Sequence, residues 1–233
     1  MILNSESILH YLPSEINIRQ MKILDAMRFS LEIIDDNHNS LIEELTAVSI
    51  KGKKKNLPRI MHHTWSLIDF TQRFYSLYTK LTVKIDNDIE VLNNWAFRNA
   101  CQHFTSNLEK VINNEKQPFG ALKWAVNDID KQDVFSCLAV SGIYGVFHGM
   151  SHTFINVTGK QYDSIINEIT LEIAVFDKKE QRTELNLSEL MIDLGNVVKK
   201  LESNLVKHSS INNLTQTDWS KYRDVLLIIR QEK

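Results

Sequence analysis

Apolar residues recur three and four apart through much of this chain, the spacing of one buried face of an α-helix. Leu24, Met27, Leu31, Ile34, His38, Leu41 and Leu45 form one such stripe and predict a first helix over 14–47, with Ser14 as its N-cap. Ile60, Met61, Trp65, Leu67, Ile68, Phe70, Phe74, Tyr75, Leu77, Tyr78 and Leu81 predict a second helix over 57–81. These residues cover more than one side, so the helix is expected at the centre, touching its own bundle and a further surface such as a second subunit. Ile89, Leu92, Ala96, Ala100, Phe104, Leu108 and Val111 predict one continuous helix over 87–113. Leu190, Leu194, Val197, Val198, Leu201 and Leu205 predict a last helix, capped by Asn186 or Ser188 and running to His208.

Between the last two stripes the pattern changes. Pro118 and Gly120 interrupt the helical run. Residues 122–126, 134–140, 169–176 and 182–187 read as short strands, the third with the β-branched character of a half-buried one. Residues 177–180 read as a polar hairpin turn, 1–13 as a loosely docked lead, 209–217 as a polar linker and 219–229 as a short closing element. The expected fold is mainly α within an α+β chain. Residues 1–118 and 188–208 form a helical bundle, 119–187 an antiparallel β-rich insertion, and 209–233 a C-terminal extension.

Composition sharpens this picture in a few places. Seven Gly and 3 Pro in 233 residues favour long uninterrupted elements. A net charge of -2 argues against binding polyanions by bulk charge. Two cysteines, Cys101 and Cys137, give no disulfide framework and no cysteine-rich zinc site, so a reducing cytoplasm is expected. The first residues lack a basic stretch followed by an apolar core, so no secretion signal is expected. Residues 134–159 contain no Asp, Glu, Lys or Arg, a length that could span a bilayer. Two histidines, four glycines and three serines make that stretch too polar, and buried strands or a covered loop are expected instead.

Charge is unevenly placed. Over 51–84 the basic residues are Lys51, Lys53, Lys54, Lys55, Arg59, Arg73, Lys80 and Lys84, against one acid, Asp69. Lys53, Lys54, Lys55 and Arg59 are candidate RNA-backbone contacts; a solvated connector between helices is the plainer use of the lysine run. Asp69 and Arg73, four apart, predict an intrahelical ion pair. His38 is expected as a hydrogen-bonded core or interface histidine, and His62 and His63 at capping or surface positions. His148 and His152 have a spacing that a metal would accept on a helix. Glycines at 142, 145 and 149 weaken any helix there, and neither a metal nor a cofactor is expected.

The chemistry concentrates in Arg98-Asn99-Ala100-Cys101-Gln102-His103. Asn99 and His103 are four apart and lie one turn apart on one helix face. Arg98 and His103 are separated by about 140° around the axis, and both side chains are long enough to border one groove. Imidazole exchanges protons near neutral pH. Guanidinium stays charged and grips phosphate with two parallel N–H groups. Together they suit phosphodiester cleavage: the histidine moves the proton of the ribose hydroxyl or of the leaving oxygen, and the arginine steadies the crowded phosphorane.

This pattern, an arginine, a polar residue, three more residues and a histidine, resembles the signature of the HEPN family (higher eukaryotes and prokaryotes nucleotide-binding domains). The resemblance covers about 56–115, and the helix over 57–81 looks like the family's long central helix. It implies an antiparallel helical bundle and a metal-independent endoribonuclease. It also implies a homodimer whose two motifs meet in one composite site, with Arg98, Asn99 and His103 as catalytic residues. It further suggests a toxin or antiviral effector, RNA as substrate and a neutralising antitoxin or regulatory protein as partner. The β element departs from the family's all-helical pattern. Two other readings stand beside this one. One is a HEPN-like module used for dimerisation or nucleotide binding without catalysis. The other is an unrelated helical interaction protein in which Arg98 pairs with an acid such as Glu90 or Glu109 and His103 is buried.

Overall fold

The computed structural model describes residues 2–52, 56–81, 87–103, 105, 109, 119–142, 152–175 and 181–226. Helix α1 is Ile18–Ser49 and α2 is Leu57–Tyr78. Polar contacts across the pair join Asn37 to His63 and Glu44 to Arg59, so later residues of one meet earlier residues of the other and the helices run antiparallel. The stripe of α1 is buried as its spacing requires, at Leu24, Met27, Leu31, Ile34, Leu41 and Leu45. Its N-cap is Asn17 rather than Ser14: the Asn17 side chain accepts from the Arg19 N–H at 2.9 Å.

The lead before α1 is not loosely docked. Leu3, Ile8, Leu9 and Leu12 are buried in the core, and the Asp35 carboxylate accepts from the backbone N–H groups of Ile2 and Leu3. Four buried apolar side chains and two charge-assisted bonds outweigh the flexibility that a short segment without periodicity suggests.

The helix expected over 87–113 is broken within 87–103; Phe104, Leu108 and Val111 of its stripe lie outside the described residues. A 3-10 helix, Asn87–Leu92, is followed by α3, Trp95–Gln102, with Asn93 and Asn94 between them. The Asn94 carbonyl accepts from Phe97 and Arg98, which starts α3 afresh, while its side chain donates to Ile68 O of α2 at 3.1 Å. The restart shifts the phase. Ile89 and Leu92 stay buried, but Phe97 rather than Ala96 is the next side chain inside.

Strands β1 (Ala121–Asp128), β2 (Asp133–Val140), β3 (Ile166–Val175) and β4 (Gln181–Asn186) form an antiparallel sheet in the order β2-β1-β3-β4. The antiparallel β element after the motif is therefore present, and the chain is mixed α+β. Leu122, Trp124 and Val126 of β1, with Leu171 and Ile173 of β3, join the helical core. Trp124 also donates through Nε1 to Ser49 Oγ at the end of α1, 2.9 Å away. On the other face of β1, Lys123 is buried, and the segment after residue 151 reaches this region through Thr153. Helix α4, Leu187–Ile211, follows β4 directly. Its cap is Asn186, whose side chain accepts from Glu189 N–H. Its buried stripe is Leu187, Leu190, Leu194, Val197, Val198 and Leu201, packed on β3 and the 3-10 helix.

Past α4 the closing segment turns back over the lead. Trp219 Nε1 donates to Leu12 O at 2.7 Å, Arg223 donates to His10 O at 2.9 Å, and Asp224 pairs with Arg28. Residues 227–229, the last part of that element, lie outside the described residues. Among the described residues no helix is long and apolar enough to cross a membrane.

Candidate functional site

The sequence places its chemistry on α3, and α2 receives one end of it. Arg98, in the middle of α3, donates through Nε to Asp69 Oδ1 at 2.8 Å. Arg73, one turn along α2, donates through Nε to the other oxygen, Asp69 Oδ2, at 2.6 Å. The predicted Asp69–Arg73 pair is present, and Asp69 proves to be shared. In both arginines the bonded atom is Nε, and among the described residues no hydrogen bond reaches either pair of terminal nitrogens. Each guanidinium also lies over an aromatic ring: Arg98 over Trp95 with its central carbon 5.6 Å from the ring centre, Arg73 over Phe70 at 5.4 Å. Partial burial works against the charge of Asp69, but the hydrogen bonds from Arg98 and Arg73 outweigh it and hold its carboxyl below the ordinary carboxylate value.

Asn99 is half-buried and His103 exposed. The His103 N–H donates to Asn99 O at 2.9 Å, so the helical turn continues to the histidine although α3 ends at Gln102. Asn99 and His103 are one turn apart, as the spacing requires. Arg98 points at α2 and shares no hydrogen bond with His103 among the described residues. Neither acid named for Arg98 in the third reading is its partner: Glu90 accepts from Tyr75 Oη at 2.7 Å, and the arginine reaches across to Asp69 instead. That reading also buries His103, which is exposed here.

The other candidates are scattered. Lys53, Lys54, Lys55 and His148 lie outside the described residues. Arg59 pairs with Glu44 at 3.1 Å and its side chain remains 56% exposed. His62 is exposed, but His63 is neither a cap nor a surface residue. It is buried between the helices, with Nδ1 2.9 Å from Asn37 Oδ1 and Nε2 3.4 Å from Arg59 Nε. His38 is half-buried on α1, where burial lowers its pKa.

The sheet holds a cluster that the strand pattern concealed. Lys123 Nζ lies 2.8 Å from Glu172 Oε2 and 2.5 Å from Glu184 Oε1, and donates to Thr153 Oγ1 at 3.3 Å. His152 Nδ1 lies 3.0 Å from Glu172 Oε1. Lys123, Glu172 and the His152 side chain are each more than nine-tenths buried. Burial opposes the lysine charge, but the two glutamates outweigh it and raise its pKa. The pattern that predicts the two strands gives no role to Lys123 or Glu172. The one available signal is the absence of Asp, Glu, Lys and Arg over 134–159, which predicts buried strands or a covered loop. His152 is committed to this cluster, and among the described residues no group of three or more His, Cys, Asp or Glu side chains is arranged to hold a metal ion.

The arrangement at α2 and α3 offers two fixed cations beside an exposed indole, with an imidazole at the helix end. Set against protein-family models, curated proteins and solved structures, the chain finds no match.

Proposed function

We propose that this protein is a metal-independent endoribonuclease of HEPN type that works as a homodimer in the cytoplasm. The antiparallel α1–α2 pair with α3 is read as the HEPN-like bundle, and the sheet as its elaboration. The observation that carries the proposal is the placement of the motif. His103 is exposed at the end of α3, and Asp69 holds Arg98 through Nε, with no hydrogen bond to the terminal nitrogens among the described residues. In the reaction the ribose 2′-oxygen attacks phosphorus as His103 takes its proton. The bond to the 5′-oxygen breaks, the leaving oxygen is protonated, and a 2′,3′-cyclic phosphate and a 5′-hydroxyl result. Arg98 stabilises the charge that builds on the phosphorane oxygens, and Asn99 orients the imidazole. Since Arg98 is bonded to Asp69 of α2 and shares no hydrogen bond with His103 among the described residues, the arginine and histidine at one scissile phosphate come from different subunits in this reading. A toxin or antiviral role, with an antitoxin or regulatory partner, follows on the same reading.

A second reading is favoured by one observation. Asp69 compensates the charge of Arg98, as it would in a HEPN-like dimerisation or nucleotide-binding module without catalysis. One experiment separates the two. Purified protein incubated with total RNA in the presence of a chelator should produce fragments ending in cyclic phosphate. His103→Ala should lower the rate by at least about a hundredfold while circular dichroism is unchanged. RNA left intact by the unaltered protein, or cleaved equally by His103→Ala, rejects the enzyme.

A further inference from the structure

The proposed catalytic residues do not account for three features beside them. Arg73 is fixed by the same carboxylate as Arg98, yet it belongs to a different helix and its side chain is 51% exposed. Trp95 is 53% exposed although it is among the largest apolar side chains in the protein. Arg98 covers part of one indole face, which orders the ring and leaves more than half of the residue open.

A carboxylate that takes the Nε of two arginines separates two charges that would otherwise repel and fixes both side chains against rotation. Two cationic edges anchored to one carboxylate fit consecutive phosphates of a nucleic-acid strand better than a single small anion. A fixed, exposed indole beside them is a surface on which an unpaired base stacks, since every base presents a π-face. Base pairing would hide that face inside a duplex.

We propose that Arg73, Asp69 and Trp95 form the substrate-binding half of the site, and that the substrate is single-stranded RNA. Arg73 holds the phosphate next to the one on Arg98, Trp95 stacks the adjoining unpaired base, and Asp69 positions both arginines. The inference rests on the ribonuclease reading for the identity of the strand, but its test does not depend on cleavage.

The test measures fluorescence anisotropy of a labelled oligouridylate of about twelve nucleotides, a length that covers one such groove. It is done with His103→Ala protein, so that the probe survives. Trp95→Leu in that background should raise Kd about tenfold, the loss expected for one stacked base. Arg73→Gln should raise Kd about fivefold and reduce the salt dependence by roughly one phosphate contact. Arg73→Lys, which keeps the charge but loses the Nε bond, should fall between Arg73→Gln and the parent. A duplex of similar length should bind more weakly than the single strand. Parent-like binding by both Trp95→Leu and Arg73→Gln, with circular dichroism unchanged, overturns the inference, as does equal binding of duplex and single strand or no binding by the parent. RNA cleavage that depends on His103 but ignores Arg73 and Trp95 leaves the enzyme standing and removes this substrate site. Binding that depends on both residues, without cleavage, keeps the substrate site and removes the enzyme.

Discussion

At the scale of single residues, the carboxylate of Asp69 and the imidazole of His63 tie the helices together in different ways. Asp69 accepts two charge-assisted bonds near the surface, where water screens part of their value. His63 is buried, so its protonation state matters more. Burial is the largest cause lowering its pKa from 6.5, and His62 and Arg59 add to it, against smaller raising effects of Glu44 and Asp36. The unfolded chain therefore binds the proton at a higher pH than the folded one. The stability this gives is complete above 6.5 and is lost as pH falls through that value toward the lowered one. His10 and His38 shift in the same direction, each with burial as its largest cause. Unfolding free energy from urea titrations should drop between about pH 7 and about pH 5. His63→Gln, which can still bond Asn37 but cannot titrate, should flatten part of that drop. Parallel pH profiles for the two proteins would show that His63 does not contribute.

At the scale of elements, the start of β1 depends on one backbone conformation. Gly120 has φ +82°, and a Cβ there would lie 2.5 Å from Glu172 O and 2.7 Å from Ile173 Cγ2 of β3. Both the left-handed backbone and the close approach of β3 exclude a side chain. Gly120→Ala should cost about 2 kcal/mol or more, read as a fall of roughly 4–8 °C in Tm. The elements that the sequence made legible are those with an uninterrupted period. The stripes of α1 and α4 are buried nearly residue for residue, and all four strands lie where β-branched runs and breakers put them. The helix expected over 87–113 breaks at Asn93 and Asn94, although its apolar spacing survives the break. Asn93 and Asn94 are tolerated inside a helix, and only the Asn94 bond to Ile68 O, from another element, decides against continuity. The candidate site was half legible for the same reason. Local spacing gives Asn99 and His103, whereas the Asp69 bridge, Lys123 with Glu172, and His63 with Asn37 join residues 26 or more positions apart.

At the scale of the molecule, one cluster of buried hydrophobic residues runs from the lead through α1, α2 and α3 to β1, β3 and α4. The closing segment is bound to that body mainly by polar contacts on its outside. Trp219→Phe keeps most of the apolar surface and deletes the bond to Leu12 O, so it should cost about 1 kcal/mol. Hydrogen exchange at the amides of His10 and Tyr11 should speed up more than exchange at the α1 stripe, because those amides bond only within the lead. Uniform acceleration across the protein would instead mean that the segment and the core unfold together.

The bonds from Trp219 to Leu12 and from Arg223 to His10 span 207 and 213 residues. A ribosome makes residues 9–12 about two hundred residues before it makes the side chains that bond their carbonyls. Until residues 219–223 emerge, therefore, the carbonyls of Leu12 and His10 lack these two bonds, and this edge of the lead is fastened later than the core beneath it.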